Sequence, residues 1–151
     1  MNPVRTLTGA IPIGVGLQLL STWQAVYELT DGRIGERLGP ITMLLLRTRG
    51  RKTGQRRTAA LLYLRDGARY VVIGSKGGSD TAPAWLLNLE ANPRVEVQVG
   101  RRRFRALARI ARGSQRTRLW KAAVRVWPSY ADYQARTDRQ IPVVLLEPTS
   151  A

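Results

Sequence analysis

ITMLLLRTRGRKTGQRRTAALLYLRDGARYVVIG, residues 41–74, decides the fold. Ile41 to Thr48 is an almost continuous apolar run of strand length, and such a run fits a strand covered on both faces. The polar break Arg49 to Gln55 carries two glycines, after which Thr58 to Arg65 resumes as a strand. Asp66-Gly67 is a tight-turn signal, because both residues tolerate the positive φ of a two-residue hairpin. Arg69 to Gly74 then completes a three-stranded meander.

Working outward, Ser75 to Ser79 (SKGGS) is a second glycine-rich loop. Pro83 suits the first turn of a short helix, PAWLLNLEAN, that must stop before Pro93. Val95, Val97 and Val99 alternate with polar residues as in a half-buried strand, which Gly100 turns into a partner from Arg102 to Ile110. Ser114 to Val126 is read as a helix with Leu119, Ala122, Ala123 and Val126 on one face. Ser129 is read as the cap of a following helix with Asp132 near its positive end, and Val143 to Leu146 as a last strand. Upstream, a helix is expected from Val15 to Leu29, then a glycine-bearing connection from Asp31 to Pro40. Six strands joined mostly by hairpins, with helices at both ends and one inserted, predict a small β-barrel with packed helices, α+β and predominantly β. The connections are too short for parallel crossovers. With 151 residues and no linker or repeat, one structural domain is expected: residues 1–40 as an N-terminal helical segment packed on the barrel, 41–151 as the barrel itself.

Composition narrows the chemistry. The chain has no cysteine and no histidine. Disulfides, thiolate nucleophiles, serine–histidine triads and most zinc sites are therefore excluded, and no metal ligand set is read. Tyr, Ser, Arg, Lys and ten carboxylates remain, so a bound cofactor is expected to carry any difficult chemistry. The formal net charge of +15 calls for an anionic partner. Nucleic acid is not expected, because the aromatics are not interleaved with the basic runs. Ile11 to Leu20 is too short to span a bilayer and too interrupted for a signal peptide. A helix packed on the domain accounts for it, and weak peripheral membrane docking, helped by the positive charge, is the alternative. The default location is cytoplasmic; no oligomeric state is specified.

Two loops invite an anion. Gly50-Arg51-Lys52-Thr53-Gly54 has glycines at each end that let backbone N–H groups turn inward, a hydroxyl at Thr53, and Arg56 and Arg57 just beyond. A solvated basic hairpin accounts for the same spacing. Gly74-Ser75-Lys76-Gly77-Gly78 repeats the combination, and together the loops could face one extended anionic ligand. Trp85 and Asn88 share a helix face, as do Tyr130 and Tyr133. Core packing is the ordinary use of such residues, while two phenols at a cleft could donate to a substrate oxygen.

In order and spacing, RTRGRKTGQRR (47–57), LLYLRDGARYVVIGSKGG (61–78), PAWLLNLEANPRVEVQVG (83–100), LW (119–120) and PSYADYQARTDRQIPVVLLEP (128–148) resemble the deazaflavin (F420)-dependent nitroreductase family. That family comprises F420H2-dependent reductases with an FMN-binding split-barrel-like fold. The resemblance covers Leu44 to Pro148. It implies a split β-barrel and coenzyme F420 as cofactor. It implies too that the protein transfers a hydride to a small planar acceptor: a quinone, an enone or a nitroaromatic. By the same resemblance Arg51, Lys52 and Thr53 hold the cofactor's phosphate and acidic tail. Arg57, Thr58, Ala59, Ala60, Leu61 and Leu62, with Ser75 and Lys76, border the deazaflavin. Ala84, Trp85, Leu86, Leu87 and Asn88 close over it. Tyr130 looks like the active-site tyrosine and also borders the cofactor, with Tyr133 and Ser75 near the substrate. Where family members often have a proline this chain has Ala60. Leu86 replaces an aromatic and Trp127 a tyrosine, which favours quinones or enones over nitroimidazoles. A split-barrel carrier of F420, FMN or heme that does not turn over is the alternative.

Overall fold

The computed structural model describes residues 23–33, 37–38 and 41–149. A helix covers 23–29 (α1). It is followed by strands Arg37–Leu38 (β1), Ile41–Arg49 (β2), Arg56–Leu62 (β3), Leu64–Asp66 (β4) and Arg69–Ile73 (β5). After a 3-10 turn, Lys76–Gly78, come helix Ala84–Ala91 (α2) and the hairpin Arg94–Val99 (β6) and Arg102–Ile110 (β7). Helices Gly113–Val126 (α3) and Ser129–Ala135 (α4) lead to strand Val143–Pro148 (β8). Every pairing is antiparallel. β8 lies between β5 and β7, β6 joins β7 to β2, and β3 pairs along β2 from Met43–Leu62 to Arg49–Arg56.

The apolar runs are continuous because both faces of the curled sheet are covered. Alternate residues go to different cores. Leu44, Leu46, Val72, Val144 and Leu146 join Trp85, Leu86 and Leu89 of α2 inside the sheet. Val71, Ile73, Val143 and Leu145 face Leu119 and Ala123 of α3 and Tyr130 of α4. Met43, Leu45 and Ala60 meet Tyr27 of α1. Tyr27 is fully buried, and its hydroxyl accepts from the Gly100 N–H at 2.6 Å. The chain passes so close here that a methyl on Gly32 would stand 1.6 Å from the Gly100 carbonyl oxygen. Glycine is therefore required at 32, where φ is also +79°.

Several sequence expectations change in detail. The single strand expected over Thr58 to Arg65 is two, because the chain changes partner at Tyr63: β3 pairs with β2, and β4 with β5. The connection from Asp31 to Pro40 contains β1, paired with the start of β2. Pro83 is the N-cap of α2 rather than part of its first turn, and its carbonyl accepts from the Leu86 and Leu87 N–H groups. On α3, Leu119 and Ala123 are buried, but Val126 is half exposed where the helix ends. Pro128, not Ser129, caps α4. Its backbone is already helical (φ −55°, ψ −24°), so the helix begins a residue early and Ser129 lies inside it. The expectation for Ile11 to Leu20 falls outside the described residues, and among those described no helix is long and apolar enough to cross a membrane.

Candidate functional site

The loop between β2 and β3 closes on itself. Gly50 N–H donates to the Gln55 carbonyl at 2.7 Å and Gly54 N–H to the Gly50 carbonyl at 2.8 Å. The Thr53 hydroxyl accepts from Gln55 N–H at 3.2 Å. Arg51 N–H is taken by the side chain of Asn88 at 3.1 Å. The run of inward N–H groups expected from the glycines is therefore reduced to Lys52 and Thr53, because hairpin closure uses those of Gly50 and Gly54 and Asn88 takes that of Arg51. What faces outward is charge. Among the described residues Lys52 and Arg57 make no ion pair, and Arg51 reaches only the Asn88 amide, at 3.5 Å.

Asn88, 3% exposed, also donates to the Thr48 hydroxyl at 3.1 Å, so α2 is fastened to the end of β2 and to the start of this turn. Between them opens a cleft of about 540 Å³ lined by Thr48, Gly50, Arg51, Lys52, Thr53, Arg57, Thr58, Ala59, Ala84, Trp85 and Asn88. That is the size of a ligand pocket. One end is cationic. The other is apolar, floored by Ala59 and by Trp85, which belongs to the core and the cleft at once.

The remaining expected site residues lie elsewhere. A pleated strand cannot turn six consecutive side chains to one ligand. Leu61 packs against the inner core, as the cleft-lining Ala59 also does, Ala60 lies under α1, and Leu62 reaches a second recess at the far end of β3. Leu86 is buried in the core; Leu87 is half-buried beside it and is not part of the cleft lining. Ser75 and Lys76 do not line the cleft either, because α2 stands between the loops: Asn88 holds the first, while Leu86 reaches towards Gly74 of the second.

The second loop belongs with α4. A methyl on Gly78 would meet the Tyr133 carbonyl oxygen at 2.7 Å, and φ there is +83°. Arg139 anchors the loop with three hydrogen bonds: to the carbonyls of Ser79 (2.7 Å), Gly74 (3.1 Å) and Ser75 (2.8 Å). Sequence reasoning passed over Arg139, since nothing local marks a contact spanning some sixty positions. It passed over Thr48 too, although a threonine next to a glycine loop was a usable signal.

Tyr130 is 7% exposed in the second recess, among Leu62, Tyr63, Val71, Ile73 and Trp127. Burial, with Tyr133 adding to it, pushes its phenol far above the ordinary tyrosine value. The Tyr133 ring is edge-on to it at 6.1 Å. Cleft and recess lie towards opposite ends of β3 and share no lining residue; the five steps from Arg57 to Leu62 span roughly 17 Å.

The family model described as F420H(2)-dependent quinone reductase matches residues 20–148. An F420H(2)-dependent quinone reductase of Mycobacterium tuberculosis strain H37Rv is 46% identical over 136 residues, covering 87% of this chain and 91% of that protein. A solved F420-H2 dependent reductase is 40% identical, covers 70% of this chain and 93% of its own, and superposes with a TM-score of 0.65. A FAD-binding protein of Mesorhizobium loti, 16% identical with 83% and 88% of the two chains covered, shares the fold alone at a TM-score of 0.51. The chain belongs to the F420H(2)-dependent quinone reductase family.

Proposed function

We propose that this protein reduces quinones with F420H2. The observation that carries the reading is the cleft itself, whose unpaired Arg51, Lys52 and Arg57 stand beside an apolar floor of Ala59 and Trp85. A planar ring with a phosphate and an acidic tail has the same two halves, so the residues present fit the deazaflavin cofactor. Arg51, Lys52, Thr53 and Arg57 would hold the phosphate through charge-assisted hydrogen bonds. Ala59, Ala84 and Trp85 would border the ring. When bound in reduced form, the cofactor supplies a hydride.

The protein's own part is to orient the acceptor, exclude water and steady charge developing on the acceptor oxygen. We assign that last role to Tyr130, with Tyr133 and Ser75 beside the acceptor. Its support is the buried phenol: a hydroxyl that keeps its proton throughout the physiological range is always a donor. Enones and nitroaromatics of similar shape belong to the same proposal as further acceptors. So do a cytoplasmic location and weak association with anionic membranes, carried by Ile11 to Leu20 and the +15 charge; flotation with anionic liposomes checks the last.

Separate titrations with F420 and FMN test the cofactor assignment. F420 should bind with a dissociation constant of about a micromolar or below and FMN much more weakly. Equal or tighter FMN binding would overturn it.

A further inference from the structure

Helix α4 and the 74–79 turn come from distant parts of the chain and meet at one side chain, Arg139. Its guanidinium donates to the carbonyls of Gly74 and Ser75 and, from Nε, to that of Ser79. Among the described residues it makes no ion pair, so the whole fork is given to peptide carbonyls of this turn. Its backbone is tied to α4 as closely: Gln134 donates from Nε2 to the Arg139 carbonyl at 2.8 Å and accepts the Ile141 N–H on Oε1 at 2.9 Å. The turn needs an outside hold. Lys76, Gly77 and Gly78 are left-handed in succession, with φ of +45°, +63° and +83°, and a lysine side chain disfavours that conformation.

The two elements so joined carry hydroxyls that the fold leaves unused. The turn follows directly on Ile73, which lines the recess with Tyr130. Ser75 is 9% exposed, and its hydroxyl caps nothing. Among the described residues the hydroxyls of Ser75, Tyr130 and Tyr133 have no hydrogen-bond partner. None of the three oxygens is fully enclosed, since the one wholly buried side-chain atom left unsatisfied among the described residues belongs to Arg47. Buried hydroxyls are ordinarily satisfied within the protein, so open donors on two joined elements point to a ligand that they share.

We propose that Arg139 is a positioning residue for hydride transfer: by holding the turn against α4 it keeps the Ser75, Tyr130 and Tyr133 hydroxyls at a fixed spacing around the acceptor. The inference rests on the acceptor reading above. Arg139 lines neither the cleft nor the recess, so it acts through the residues it holds. A guanidinium can do this where an ammonium cannot, because its donors leave in one plane at set angles.

The test is single-turnover oxidation of bound F420H2 by saturating menadione in wild type, Arg139→Ala, Arg139→Lys, Tyr130→Phe and the Arg139→Ala/Tyr130→Phe double variant. Both Arg139 variants should slow transfer about tenfold to a hundredfold, the effect of a displacement of about 1 Å, with F420H2 affinity little changed. Guanidinium ion at millimolar concentration should restore part of the rate to Arg139→Ala, and ammonium at equal ionic strength should not. In the double variant the two losses should fall well short of multiplying, because the hydroxyl through which Arg139 acts is already gone. Should Arg139→Ala not fold, Arg139→Lys with Tyr130→Phe gives the same cycle. Full rate in Arg139→Lys, no rescue by guanidinium, losses that multiply, or a slower rate explained by weaker F420H2 binding would overturn the positioning role. A fully active Tyr130→Phe would instead overturn the assignment of Tyr130 to the acceptor, and a wild type that binds no F420H2 the cofactor reading; either takes this inference with it.

Discussion

The side-chain amide of Asn88 on α2 holds the backbone of Arg51, 37 residues away, at 3.1 Å, and with its other end holds the Thr48 hydroxyl at 3.1 Å. One amide thus ties the helix that floors the cleft to the loop that charges it. A helix and a hairpin that could each shift alone become one rigid wall.

Asn88→Ala should therefore weaken both fold and site. Two hydrogen bonds, one buried and one partly so, contribute about 0.5–1.5 kcal/mol each, so a loss of roughly 1–3 kcal/mol is expected in chemical denaturation. F420 affinity should fall several-fold as the loop loosens. Asn88→Asp should be worse for the ligand than Ala, because it places a negative charge beside the anion site. Tighter F420 binding by Asn88→Asp would contradict the cationic role of the loop.

Lys52 makes no ion pair among the described residues, so its charge is free for a ligand. Lys52→Ala should raise the F420 dissociation constant about tenfold or more, the value of a charge-assisted hydrogen bond. Added salt should weaken wild-type binding more than that of the variant. Unchanged affinity in a folded variant would place the phosphate elsewhere.

Arg139 holds three carbonyls of the 74–79 turn, and no lysine can reproduce that fork. Arg139→Lys should lower stability by roughly 1–3 kcal/mol and increase amide exchange at Gly77 and Gly78. Native exchange rates there would mean that the Gly78–Tyr133 contact alone holds the turn.

The Tyr130 phenol is raised above its ordinary value, chiefly by burial and then by Tyr133. Its folded value thus exceeds its unfolded one, and the stability it contributes is fully present below about pH 10, the ordinary tyrosine value. That contribution is lost as pH rises towards the folded value. Alkaline denaturation should begin above about pH 10 and flatten in Tyr130→Phe, while no limb between pH 6 and 9 in the rate profile should come from this residue. If its hydroxyl also donates to the acceptor, Tyr130→Phe should slow hydride transfer by about ten- to a thousandfold with F420 affinity little changed. A fully active Tyr130→Phe enzyme would leave the ring as a wall of the recess.

The strands were legible because alternation and turn chemistry are local: Asp66-Gly67 and Gly100 mark their hairpins, and the apolar runs at 41–48 and 143–146 mark strands covered twice. The partner change at Tyr63 was not, since each half is a good strand and only distant pairing separates them. In the site, the cations at 51, 52 and 57 were legible from spacing and the resemblance together. The division of 57–62 among four environments could have been anticipated in part, because a pleated strand alternates its faces. Arg139 and Tyr27 could not, because each depends on residues brought together from remote parts of the chain.

Anaerobic single-turnover oxidation of bound F420H2 by menadione, followed by the return of the oxidised cofactor's absorbance, tests the account most directly. Oxidation in the wild-type protein should be faster than without protein by orders of magnitude, and reduced FMN should not substitute. Oxidation no faster than the protein-free control, with F420H2 demonstrably bound, would contradict it and leave a carrier.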